Sequence, residues 1–106
     1  DDMLKIRGVK VFPSQVEGIL MKIPSVGSNY QLLISKSGYL DELTVRIEVT
    51  RELFEGDVSD LVSLKGRIEE GLRSALGIRV NVVLVEPGSL PRSEGKAQRV
   101  VDVRGV

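Results

Sequence analysis

Leu4 and Ile6 precede Arg7-Gly8, and Val9 and Val11 follow it, each pair alternating with polar positions. A glycine between two short apolar runs signals a tight turn, so Met3 to Val11 predicts a small hairpin or kinked ribbon. Phe12-Pro13-Ser14 then opens a helix, because proline in the first turn lacks only an N–H that would have no partner there. Val16, Ile19, Leu20 and Ile23 recur at helical spacing until Pro24 stops the segment. Tyr30 to Ser35 is a short apolar run, ended by Lys36-Ser37-Gly38, and reads as a strand. Leu43, Val45, Ile47 and Val49 alternate with Thr44, Arg46 and Glu48, the pattern of a half-buried strand rich in β-branched residues. The two strands predict an antiparallel pair joined by a loop around Gly38 to Glu42.

Asp57 or Ser59 can cap a longer helix with an apolar face of Leu61, Leu64, Ile68, Leu72, Ala75 and Leu76, turning Glu69, Glu70 and Arg73 outward. Gly66 and Gly71 weaken it by up to ~1 kcal/mol each, and a glycine on the buried side would permit close approach to the sheet. Gly77 is placed to end it. Ile78 to Val85 reads as a strand, Pro87-Gly88 as a turn, Ser89 to Arg99 as a polar stretch, and Val100 to Arg104 as a last short strand. This order predicts an α+β two-layer sandwich: a mainly antiparallel sheet, two helices on one face, and a small N-terminal β-ribbon.

Composition narrows the chemistry. The 106 residues suffice for one domain with one core and are too few for two. Fifteen basic and fifteen acidic side chains cancel, so no net field draws the chain to nucleic acid or to an anionic membrane. No run approaches the ~20 apolar residues of a membrane helix, and no secretory pattern opens the chain; it reads as soluble and cytoplasmic. There is no cysteine, which excludes disulfides and thiolate chemistry, and no histidine, which removes the commonest general base and metal ligand. Carboxylates, Lys, Arg, Tyr and hydroxyls remain. Asp1-Asp2 leads straight into the first apolar alternation without a starting methionine, which reads as a piece of a longer chain.

Two segments at opposite ends carry a resemblance. Asp1 to Pro13, followed by Val16-Glu17, resembles the hinge motif of the adenylate-forming acyl-CoA ligase superfamily, in which Gly-Arg-x-Asp-Asp precedes an apolar strand and a glycine turn. Its Phe12-Pro13-Ser14 spelling is similar to the phenylacetate-CoA ligase branch. Leu90-Pro91-Arg92-Ser93-Glu94-Gly95-Lys96-Ala97-Gln98-Arg99 resembles the catalytic-lysine loop, P-x-[ST]-x-x-G-K in most of the superfamily. One residue, Glu94, separates Ser93 from Gly95 where many relatives have two; the phenylacetate branch resembles the shorter form. Transfer of a role to Ser93 is accordingly less secure than to Lys96.

The resemblance implies that residues 1–106 are the C-terminal lid of an AMP-forming ligase whose N-terminal domain, absent from this chain, binds ATP and the acid. It implies two half-reactions: a carboxylate attacks the α-phosphate of ATP, then the thiol of coenzyme A displaces AMP. Lys96 would be the catalytic cation. Asp1 would be the hinge, and Gly8 would line the channel for coenzyme A. Gly95, Ser93 and Arg99 would support the nucleotide loop. Lys5, Arg7 and Lys10 would either meet coenzyme A phosphates or be solvated ribbon charges. Asp2, Glu17 and Glu48 have no spacing that suggests acid–base work and read as exposed structural carboxylates. The implied partners are the chain's own adenylation domain, a small aryl acid such as phenylacetate, ATP and coenzyme A. Magnesium would arrive with ATP rather than bind here, and a homodimer is compatible with all of this.

A different class of reading is a free-standing α+β module for a small regulatory ligand or a protein, for which the Gly95-Lys96 loop would be immaterial. RNA binding on the sheet is disfavoured by neutrality and by only four aromatic residues.

Overall fold

The computed structural model describes residues 2–91 and 99–105, with Ser28 by its backbone only. The predicted ribbon is β1 (Leu4–Ile6) paired antiparallel with β2 (Val9–Val11), Ile6 facing Val9 across the Arg7-Gly8 turn. Helix α1 (Pro13–Leu20) follows at once. Gln15 secures its start, its side-chain Oε1 accepting the Phe12 N–H at 2.9 Å while its own N–H donates to the Phe12 carbonyl at 2.9 Å. The helix ends at Leu20, before Pro24.

Strands β3 (Val26–Ser37) and β4 (Leu40–Val49) form the long antiparallel centre of the main sheet. Only Gly38 and Tyr39 separate them, a tighter connection than the loop through Glu42 that the sequence suggested. β3 also begins earlier than its apolar run, through a register shift between Val26 and Tyr30. At that shift the backbones approach closely: a Cβ on Gly27 would lie 2.9 Å from the Glu48 carbonyl oxygen. After β4 comes a single helical turn that the pattern did not reveal, α2 (Arg51–Phe54), whose cap Thr50 accepts the Leu53 N–H on its hydroxyl.

The long helix α3 (Val58–Leu76) starts after Asp57 and stops at Gly77, which takes the left-handed conformation (φ 78°) and donates its N–H to Arg73. Leu64, Ile68, Leu72 and Leu76 are buried as its spacing required, whereas Ala75 is exposed. Gly71 faces α1 rather than the sheet, and a Cβ there would only reach ordinary contact with Ile19 Cγ2 at 3.5 Å. Strand β5 (Asn81–Val85) starts three residues later than the apolar run, and β6 (Val100–Asp102) is the last strand.

The sheet order is β5-β4-β3-β6. The architecture is the expected α+β sandwich, with a mixed sheet: the central pair is antiparallel, and each edge strand is added parallel to its neighbour. Parallel addition needs a long crossover. Helices α2 and α3 supply it between β4 and β5. Tyr30, Leu32 and Ile34 face Ile47, Val45 and Leu43 across β3–β4, and with Val82 they form one continuous apolar face. That face, Val16 and Leu20 of α1, and the α3 stripe make a single core that also takes in Ile6 and Val11 of the ribbon.

Candidate functional site

The described residues of the two motif-bearing regions lie towards opposite ends of β4. At its start is the ribbon turn. Arg7 and Gly8 both adopt positive φ, 52° and 76°, the backbone of a two-residue hairpin turn whose twist matches the strands. Glycine does this freely, while Arg7 is an L-residue in a disfavoured region. Arg7 is held there by Asp41: its backbone N–H donates to Asp41 Oδ2 at 2.8 Å and its Nε to the Asp41 carbonyl at 2.7 Å. Arg104, beyond β6, joins them. Its Nη1 donates to the Lys5 carbonyl at 2.7 Å and lies 3.3 Å from Asp41 Oδ2, and its Nη2 meets Asp102 at 2.8 Å. The Arg7 N–H and, after it, Arg104 lower the pKa of Asp41; the Arg104 side chain lowers that of Asp102. Gly8 itself is exposed, with no atom within 4 Å of where a Cβ would stand. Lys5 and Lys10 are exposed on the same ribbon, and Arg7, also exposed, is tied by its hydrogen bonds to Asp41.

The far end of β4 faces the segment that follows β5. Glu48, read from the sequence as an exposed carboxylate, is only 4% exposed. Alternation places it on the outer face of the sheet with Arg46, and the turn after β5 covers it. Its Oε1 accepts the Gly88 N–H at 2.9 Å; its Oε2 accepts the Leu90 N–H at 3.0 Å and Asn29 Nδ2 at 2.9 Å. The chain leading to Pro91 is thereby tied to the sheet. On the other flank, the Arg99 guanidinium lies 4.6 Å from the centre of the Tyr30 ring, with its Nη1 3.5 Å from Glu17 Oε1. Arg99 and Glu17 therefore make an internal ion pair. Asp2 is exposed, as expected.

Of the residues singled out by the motifs, Gly8 and Arg99 are placed, at opposite ends of the sheet. Asp1, Ser93, Gly95 and Lys96 lie outside the described residues. Sequence reasoning passed over Asp41, Arg104 and Asn29. Their partners are distant in the chain, and no local spacing marks them. Among the described residues no group of three or more His, Cys, Asp or Glu could hold a metal ion. None of the described helices is long and apolar enough to cross a membrane.

Comparison with known proteins sets this arrangement in a family. The model described as AMP-binding enzyme C-terminal domain matches residues 8–104. The chain belongs to that family. It is 41% identical to the phenylacetate-coenzyme A ligase of Thermus thermophilus over 98% of this chain and 26% of that protein. With the phenylacetate-coenzyme A ligase of Escherichia coli it shares 40% identity over 100% of this chain and 24% of that protein. The chain thus spans about a quarter of the length of the curated relatives it matches. Among solved structures, a domain of phenylacetate-coenzyme A ligase from Bacteroides vulgatus is similar with a TM-score of 0.89 and 36% identity, covering 98% of this chain and 94% of that one. A 2-hydroxyisobutyryl-CoA ligase in complex with 2-HIB-AMP and CoA, in the thioesterification state, gives a TM-score of 0.90 at 30% identity, covering 99% of this chain and 22% of that one. As an AMP-binding enzyme C-terminal domain, the chain places its ribbon turn at one end of the sheet and Leu90 and Arg99 at the other.

Proposed function

We propose that this domain is the mobile lid of an ATP-dependent, AMP-forming aryl-acid CoA ligase that converts phenylacetate, ATP and coenzyme A to phenylacetyl-CoA, AMP and diphosphate. The observation that carries this reading is the identity of about 40%, over essentially the whole chain, with proteins named phenylacetate-coenzyme A ligase. An N-terminal domain supplies the ATP and acid sites, and magnesium enters with the nucleotide.

In the first half-reaction a carboxylate oxygen bonds to the α-phosphorus while the bond to diphosphate breaks. Two anions must meet, and negative charge grows on the non-bridging oxygens. Lys96 neutralises both, an ammonium being a compact charge with three donors on a long stem. In the second half-reaction the coenzyme A thiol, giving up its proton, bonds to the acyl carbon and AMP leaves. The lid turns about Asp1, withdrawing Lys96 and presenting the Gly8 turn beside the thiol arm. The exposure of Gly8 and the open space around it support that role. Ser93, Gly95 and Arg99 serve the loop that bears the lysine, Arg99 through its contacts with Tyr30 and Glu17.

A second reading, the same lid serving another acid, is favoured by the similarity to a 2-hydroxyisobutyryl-CoA ligase over 99% of the chain.

The test is Lys96→Ala in the full-length enzyme. Adenylate formation, followed as diphosphate release, should fall by about two orders of magnitude or more, with thioester formation from supplied acyl-adenylate largely kept. Equal loss in both steps, or none, would overturn the assignment. Gly8→Leu should do the reverse. Because a leucine is strained at φ 76°, Gly8→Asn, a residue of similar size that tolerates left-handed backbone, is the control that adds bulk with little strain. Substrate competition among phenylacetate, other aryl acids and 2-hydroxyisobutyrate distinguishes the two readings.

A further inference from the structure

We propose that Asp41 and Arg104 are positioning residues for the thioester-forming step, fixing the direction in which the Gly8 turn points. This rests on the reading of Gly8 as a wall of the coenzyme A passage, and goes beyond it by naming the groups that aim the wall.

The ribbon is attached and aimed by different means. Attachment is apolar: Ile6 and Val11 are fully buried, and Leu4 and Val9 pack against the same core. These contacts secure the strands and stop short of the turn, where Arg7 and Gly8 are both exposed. A two-residue turn on a two-stranded ribbon, with nothing beneath it, would be free to tilt.

The polar contacts fall at this point. Asp41 takes the Arg7 N–H and, through its carbonyl, the Arg7 Nε. Arg104 donates to the Lys5 carbonyl, just before the turn, and lies against Asp41. Asp102 holds Arg104 in turn, accepting from its Nε at 3.0 Å and its Nη2 at 2.8 Å. Residues before and within the turn are thus tied to the start of β4 and to the segment after β6. A planar guanidinium with donors pointing several ways can make these contacts together, which an ammonium cannot. The Arg7 contacts also offset the unfavourable backbone of a residue that glycine would otherwise replace.

The charges in the group cancel: Arg7 and Arg104 against Asp41 and Asp102. Lys36, across the strand from Asp41, is the additional cation. Removing one acid or one base therefore shifts the local charge in opposite directions. A group that acts by attracting coenzyme A phosphates would respond with opposite signs to the two changes, and one that acts by geometry with the same sign.

The experiment uses the full-length enzyme with Asp41→Asn, Arg104→Gln and Arg104→Lys, measuring diphosphate release and, separately, thioester formation from supplied acyl-adenylate over a range of coenzyme A. We expect Asp41→Asn and Arg104→Gln both to raise KM for coenzyme A by at least about threefold, with diphosphate release unchanged and Arg104→Lys in between. Hydrogen exchange of the peptide spanning Arg7 should quicken in Asp41→Asn while the rest of the domain keeps its protection, which separates a loosened turn from an unfolded protein. Opposite changes in KM, equal loss of both half-reactions, or unaltered exchange at Arg7 would each overturn the proposal. If Gly8→Leu impairs thioester formation and the Asp41 and Arg104 variants do not, the positioning role alone fails. If Gly8→Leu is also without effect, the reading of Gly8 falls and the positioning role with it.

Discussion

β4 bears a carboxylate close to each end, and each accepts backbone N–H groups from a turn that belongs to another part of the chain. The seven residue steps from Asp41 to Glu48 put them about 23 Å apart along an extended strand. Glu48 is buried and holds the turn before Pro91 through Gly88 and Leu90, whereas Asp41 is half-buried and holds the ribbon turn through Arg7. The chemistry is the same and the surroundings differ. Water can replace much of what Asp41 provides, so its value lies in direction. No water reaches the groups beneath the Pro87–Leu90 turn as freely, so Glu48 is also a matter of stability.

The sharpest way to break this comparison is Glu48→Ala, which strands two backbone N–H groups and the Asn29 amide. A loss of about 2–4 kcal/mol is expected in urea unfolding, and a loss below about 1 kcal/mol would show that the turn re-solvates like an exposed one. Gly27→Ala probes the same end from the backbone side. Its Cβ would meet the Glu48 carbonyl oxygen at 2.9 Å, and the forced shift should cost about 1–3 kcal/mol. Tyr30→Leu keeps an apolar side chain but removes the ring under Arg99. The ring–guanidinium part of the loss should be about 0.5–1 kcal/mol, read as the difference from the same change made in an Arg99→Ala background.

The smallest effect belongs to the exposed end and is read in pH. Asp41 and Asp102 both titrate below their ordinary value of 3.8, lowered by the Arg7 N–H and by Arg104 respectively. Groups whose pKa is depressed by folding stabilise the fold above the unfolded value and lose that contribution as pH falls through the folded one. Stability should therefore decline from about pH 4 downward, and Asp41→Asn with Asp102→Asn should flatten that acid limb without altering stability near neutrality as much as Glu48→Ala does.

Much of this architecture was legible in the sequence because the signals were local. Arg7-Gly8 between Leu4 and Ile6 on one side and Val9 and Val11 on the other marked the ribbon, and the leucine and isoleucine spacing of α3 marked the helix and its buried stripe. What escaped was non-local. Glu48 sits where alternation puts an outward residue, and only the arrival of Gly88 and Leu90 from forty residues away buries it. Asp41 is an unremarkable acid at a strand start until Arg7 is folded onto it. The α2 turn is too short to show a period. The parallel edges were hidden because pairing direction is set by how the chain returns to the sheet, for β5 through the α2–α3 crossover, and not by the residues of β5 or β6. Gly8 and Arg99 could be found from motifs, which record chemistry; the groups that hold them could not.

The parallel placement of β6 has a consequence for assembly. The β3–β4 hairpin closes over two residues and can zip early, while Leu32 meets Val100 only after nearly the whole chain is available. We expect β6 to be the last strand to gain protection in pulse-labelled refolding, and protection of β6 before β3 and β4 would contradict this. A ribosome releasing this domain would then finish the centre of the sheet well before the edge from which Arg104 reaches back to Lys5 in the domain's first strand. The contacts that aim the ribbon turn would be the last in the domain to be completed.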